Sequence, residues 1–188
     1  MRRPSRWPLI IAIAAGFAVL GIIYADQVDS QIPDDFGILA SRDLGLPLAN
    51  LKRTDIRDTF NEIRPDGSRH EATDLMAPRG TPILAIGEGP VTKLFFSRFG
   101  GITVYEFDPQ QIYCYYYAHL DGYAPGTREG IAVHKGDVLG YVGFTGNASP
   151  DAPHLHLAIF RLGPLKQWWV GTAINPYPLL MKMMDEQR

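Results

Sequence analysis

The sequence predicts an all-β fold, a compact antiparallel sheet or partly open barrel, preceded by one N-terminal transmembrane helix. From Thr81 onward, short apolar or alternating runs are separated by turn residues. The 188 residues include 19 glycines and 15 prolines, against roughly 12% for the two together in an average protein, so turns are frequent and long helices scarce. No segment offers a capped amphipathic helix of about a dozen residues, apart from a short C-terminal turn at Tyr177–Met184.

The N-terminal element is the uncharged run from Leu9 to Tyr24, LIIAIAAGFAVLGIIY. With Trp7, Pro8 and Ala25 it covers about 27 Å as a helix, just enough to span a bilayer. Arg2, Arg3 and Arg6 precede it, while Asp26, Asp29, Asp34 and Asp35 follow. That asymmetry leaves the N-terminus in the cytoplasm and exports the rest. A cleaved signal peptide is the alternative, but the run exceeds the usual apolar length, and Ile23 and Ala25 make a poor cleavage site. Residues 1–25 are therefore expected to be an anchor or signal. Residues 26–45, polar and without a sustained period, read as a tether with one short turn. The folded body is expected over 46–182, with a tail at 183–188.

Within the body, seven strand-like segments follow in order: TPILAIG, GPVTKLFFS, GGITVYEFD, QIYCYYYAHL, GIAVHKGD, VLGYVGF and HLHLAIF. Composition then excludes several functions. Beyond the three N-terminal arginines, 15 basic residues face 20 acidic ones, so the basic face that binds nucleic acid is missing. No glycine loop leading into a helix offers a phosphate cradle. The single cysteine, Cys114, forms neither an internal disulfide nor a cysteine metal cage, and reads as a small buried apolar residue.

The five histidines carry the chemistry. In PHLHLAIF, His154 and His156 lie two apart, so on a strand they share one face about 6–7 Å apart. They would look into a cleft while Leu155, Leu157 and Ile159 face the core; two satisfied histidines on a solvated face are the plain alternative. In RHEATD, a helix would put His70 and Asp74 one turn apart and make Glu71 a base in the manner of the HExxH zincins. Gly67 and Pro78 leave little room for that helix. An extended chain would separate His70 and Asp74 by about 13 Å, too far for one ion, so the segment is expected to bend at small Ala72. His119 ends QIYCYYYAHL, where alternation places Tyr113, Tyr115 and Tyr117 on its own face and Ile112, Cys114, Tyr116 and Ala118 on the other. Those tyrosines either line the site or cover the core. His134, in the polar turn VHKGD, is expected to be exposed. Trp168 and Trp169 either line a groove or pack the C-terminal segment against the sheet.

Taken in order, RHEATD, YYYAHLDGY and GNASPDAPHLHLAIF resemble the lysostaphin/LytM-type zinc metallopeptidases of bacterial cell walls. APRGTPILA and the GDVLGYVG turn extend the likeness over about residues 46–180. The resemblance implies His70, Asp74 and His156 as ligands of Zn2+, and His119 and His154 as catalytic histidines beside it. It also implies an endopeptidase acting on peptidoglycan cross-links, and the export expected from the N-terminal run, which places the body on the periplasmic side of the inner membrane, agrees with it. A metal-free domain that binds the wall or activates a hydrolase is the rival reading, and a protease of another exported peptide is a third. The family usually has glycine where this chain has Ala72. Because both flanking ligands are present, Ala72 is expected to have negative φ.

Overall fold

The computed structural model describes residues 34–186. The N-terminal run read as a membrane helix lies outside the described residues, and no helix among those described is long and apolar enough to cross a membrane.

The expected all-β architecture holds. Nine antiparallel strands among the described residues form one open sheet: β1 (Thr73–Met76), β2 (Pro82–Leu84), β3 (Gly89–Ser97), β4 (Gly101–Phe107), β5 (Tyr113–Tyr123), β6 (Ala132–Val133), β7 (Val138–Val142), β8 (His154–Leu162) and β9 (Gly171–Ile174). The main path runs β1-β8-β5-β4-β3-β6, with β7 pairing both β2 and β5, and β9 pairing β8. β5 and β8 are central, and their alternation builds the core: Leu155, Leu157 and Ile159 of β8 meet Tyr113, Tyr115 and Tyr117 of β5, all almost completely buried. β1 and β9 are short strands that the sequence reading did not separate from their surroundings.

The tyrosines settle on the core side, where their polar ends need partners. Tyr117 Oη receives the Ile86 amide at 2.9 Å and donates to Glu106 Oε2 at 2.7 Å. Burial pushes the Glu106 carboxyl up to about 8, against the pull of the Tyr117 bond. Tyr113 Oη donates to Asp35.

Both ends of the body reach further than the sequence reading placed them. Within the stretch read as tether, Asp35–Ala40 is a short helix, α1, with Leu39 buried. At the C-terminus, Pro176–Glu186 forms α2, which inserts Leu179, Leu180 and Met183 into the core, so part of the expected tail is packed. A six-residue helix with one buried contact shows no sustained period, which is why it reads as linker. Cys114 is buried beside Phe107 and Leu162, as expected of a small apolar residue.

Candidate metal centre and active-site cleft

The β1–β8 pairing assembles the centre. Asp74 stands directly opposite His156 in the antiparallel register, so one cross-strand pair supplies two of the expected ligands. His156 Nδ1 lies 2.9 Å from Asp74 Oδ1, and His70 Nε2 lies 3.1 Å from the same oxygen. His70, Asp74 and His156 each present one ligand atom within 4.8 Å of the others. Zinc bonds of about 2.0–2.2 Å separate the ligands of one ion by roughly 3–3.5 Å, so two imidazoles and a carboxylate at this spacing fit a catalytic zinc site with one open position.

The bend that brings His70 to Asp74 falls one residue earlier than expected. Glu71, not Ala72, takes the left-handed conformation, with φ of 55°. Ala72 has no positive φ and is fully buried, in agreement with the expected backbone. Replacing Ala72 with glycine therefore removes a buried methyl and loosens the unfolded chain, a loss of about 1–2 kcal/mol. Thermal unfolding should show this loss, with zinc affinity unchanged.

The segment is not a helix, and Glu71 is exposed, so the zincin-like arrangement does not form. Glu71→Gln is accordingly expected to leave turnover nearly unchanged in a steady-state assay. A loss of roughly 100-fold or more, the signature of a removed general base, would contradict that geometry.

Backbone carbonyls orient the other rings. His70 Nδ1–H donates to the carbonyls of Thr59 and Ala72 at 3.2 and 3.1 Å, which leaves Nε2 free to ligate. His119 Nδ1–H donates to Thr145 O at 2.8 Å, and His154 Nδ1–H to Ala152 O at 2.8 Å, so both present Nε2 to the cleft. Their ring centroids are 4.8 Å apart. His154 Nε2 stands 3.8 Å from Asp74 Oδ2, farther from the carboxylate than His156 and His70 at 2.9 and 3.1 Å.

His119 reaches this place through a bulge. Val104 pairs with Tyr117 and Ile102 with Leu120, so β5 carries one residue more than β4 between these pairs. His119 has φ of 63°, and its amide donates to Gly100 O at 2.8 Å. Simple alternation would have sent His119 inward after Tyr117. The expectation that Tyr113, Tyr115 and Tyr117 share its face is thus corrected: they form core, and Tyr116 looks into the cleft. Gly101 makes the neighbouring close approach feasible. Its φ is +64°, and a Cβ there would fall 2.2 Å from Thr145 Oγ1. Thr145 Oγ1 receives the Ile102 amide and donates to Leu120 O, which holds the carbonyl that orients His119.

Electrostatics separate the groups. Burial alone would raise Asp74, but the bonds and charges of His156 and His70 hold its carboxyl well below the usual range. Burial also opposes protonation of His70, yet its Asp74 partner leaves it net raised, whereas burial wins at His156 and lowers it. His119 is pushed down to about 4, first by burial and then by the charges of His156 and His154. Near pH 7 His119 is therefore a neutral imidazole with a free Nε2 lone pair.

All five residues line one cleft of about 670 Å³, together with Arg64, Phe99, Tyr116 and the Asn147–Ser149 loop. Arg64 and Tyr116 were not singled out from sequence. A smaller hollow of about 270 Å³ adjoins it, sharing His70, Tyr116 and His156. Trp168 and Trp169 divide the two roles foreseen for them. Trp168 packs on Tyr105 and Phe95 at 4.7 and 5.2 Å between centroids, while Trp169 is 58% exposed; both border the hollow. His134 stands apart, exposed beside Asp137 as expected.

Comparison with known proteins agrees with this architecture. The chain is 35% identical over 137 residues to an L-Ala–D-Glu endopeptidase of Bacillus subtilis, covering 68% of this chain and 40% of that protein. It is 39% identical over 87 residues to the peptidoglycan DD-endopeptidase ShyC of Vibrio cholerae, covering 46% and 19% respectively. The chain thus spans less than half the length of these relatives. The crystal structure of a putative glycyl-glycine endopeptidase lytM from Ruminococcus gnavus superposes with a TM-score of 0.61 at 29% identity, covering 76% of this chain and 59% of that one. The model of peptidase family M23 matches residues 68–176, the span that holds the bent His70–Asp74 segment, the bulge at His119 and the His154/His156 strand, and the chain belongs to that family.

Proposed function

We propose that the chain is a zinc endopeptidase that hydrolyses peptide bonds in peptidoglycan cross-links. The observation that carries this reading is the convergence of His70, Asp74 and His156 on one point, with two further imidazoles beside it in the same cleft. The names of the two curated relatives support the substrate class.

His70 Nε2, Asp74 Oδ1 and His156 Nδ1 would hold the ion. When bound, zinc supplies Lewis acidity, polarising a carbonyl and lowering the pKa of water toward about 7. The chain's own residues handle the protons. His119, neutral and fixed by Thr145 O, offers Nε2 to a proton or to a developing oxyanion. His154, fixed by Ala152 O, offers a second Nε2 beside it. Between them the two rings can accept the proton of the attacking water and return one to the leaving amine. Tyr116, raised to about 12 chiefly by burial, stays a neutral hydroxyl at the cleft wall.

Export supports the same function, because peptidoglycan lies outside the cytoplasmic membrane. The uncharged run 9–24, with arginines before it and aspartates after it, favours an uncleaved inner-membrane anchor and a catalytic body on the periplasmic side. The test is metal analysis of the detergent-solubilised chain together with release of fragments from purified peptidoglycan. Bound zinc and cleaved cross-links are expected. A folded chain that takes up no zinc and releases no fragment would instead favour a wall-binding or hydrolase-activating domain.

A further inference from the structure

Among the described residues the cleft holds one guanidinium, and its surroundings set it apart from an ordinary surface arginine. Arg64 opens the turn Arg64-Pro65-Asp66-Gly67-Ser68. Its amide donates to Ser68 O at 2.8 Å, and Gly67, with φ of 84°, donates to Arg64 O at 2.9 Å. The antiparallel bridge between Ile63 and Arg69 closes the turn behind it. From this fixed backbone the side chain lies back over the metal-binding segment, where Nη2 donates to His70 O at 3.2 Å. The guanidinium is thus held by a carbonyl among the described residues, not neutralised by a carboxylate.

Neither of the two acidic groups that line the cleft with it forms an ion pair with it: the solvated Asp66 is attracted by Arg64 only at a distance. Asp66 accepts the Ser68 amide and hydroxyl at 2.9 and 2.6 Å. Asp74 is engaged by His70 and His156. A partly buried guanidinium with donors to spare, fixed beside the reaction centre, suits a planar anion that arrives with the substrate.

Resting on the peptidase reading, we propose that Arg64 is a specificity-determining residue that receives a free carboxylate of the peptide next to the bond being cut. Peptidoglycan peptides contain acidic residues, so the substrate class supplies such a group. A free carboxylate gains two charge-assisted hydrogen bonds at this position, whereas an amide keeps one acceptor and brings donors against the guanidinium.

The experiment compares two peptidoglycan peptides that differ only in this carboxyl, free in one and amidated in the other, cleaved by the zinc-loaded full chain in detergent. The free acid is expected to give kcat/KM roughly 10–100-fold higher, the range of a hydrogen bond to a charged group. Arg64→Gln should bring the two peptides to near equality, mainly by raising KM for the acid, with zinc content unchanged. Arg64→Lys, which keeps the charge without the fork, should retain part of the preference. Equal cleavage of both peptides by the natural chain would overturn this inference alone, as would an Arg64→Gln variant that lowers both equally or loses zinc. Failure of the zinc-loaded natural chain to cleave either peptide would overturn the peptidase reading and this inference with it.

Discussion

Replacing His156 with alanine is expected to strip the metal, while replacing His119 or His154 leaves about one zinc per chain and lowers kcat by roughly 100- to 10,000-fold. His70→Ala and Asp74→Ala should behave like His156→Ala. The division follows from which nitrogen each ring turns toward the carboxylate. His156 Nδ1 and His70 Nε2 both lie within 3.1 Å of Asp74 Oδ1, so the three converge on one point. His154 Nε2 stands at 3.8 Å from the other oxygen, and His119 packs edge-on against His154 beside it. Removing a convergent donor leaves two ligands, too few for a stable catalytic site. Removing His119 or His154 leaves the donor set whole and deletes only a proton carrier. Metal analysis after dialysis, run beside a peptide-release assay, separates the outcomes. Loss of metal from His154→Ala with retention in His156→Ala would reverse the roles of the two rings on β8.

The site was legible where strand alternation is regular. β8 keeps period two from His154 to Ile159, so its histidines lie opposite the core residues Leu155, Leu157 and Ile159 as the pattern requires. It was illegible where the backbone departs from the period. The extra residue in β5 turns His119 away from the side its tyrosines occupy, and positive φ at a histidine has no compositional signal. Nor is a bend placed by composition alone. Small Ala72 looked like its natural site, but the chain turns at Glu71 and uses Ala72 as buried packing beneath His70. Arg64 was hidden for a different reason. Its importance comes from a turn that lays it back over the His70 segment at the cleft, and an arginine in RPDGS otherwise reads as a solvated loop residue. The short helix α1 escaped because it buries a single leucine and is tied to the sheet through Asp35, which pairs with Arg161 and accepts from Tyr113.

An ion pair just beyond α1, between Arg42 and Asp108, carries the second large effect. Asp108→Ala is expected to cost roughly 3–5 kcal/mol of stability and to lower Tm on the order of 10 °C. Asp108 is fully buried at the end of β4, where the chain turns toward β5. Its carboxylate accepts the amides of Gln110, Ile112 and Tyr113, and it pairs with Arg42 Nη1 at 2.7 Å. Alanine would leave those amides without their partner and strand a guanidinium that is only 19% exposed. Truncating one member of such a group costs more than the intact group contributes, because the remaining members keep their desolvation penalty. Asp108→Asn should recover part of the loss, since one amide oxygen still accepts from the turn. Arg42→Ala should cost less than Asp108→Ala, because the turn amides keep their acceptor. Thermal and urea unfolding of the three variants would establish the order, and a loss below about 1 kcal/mol for Asp108→Ala would show that water takes over the turn amides. The cluster shares no residue with the metal cleft, so zinc content and turnover below the unfolding transition should match the natural chain even as the margin of stability shrinks.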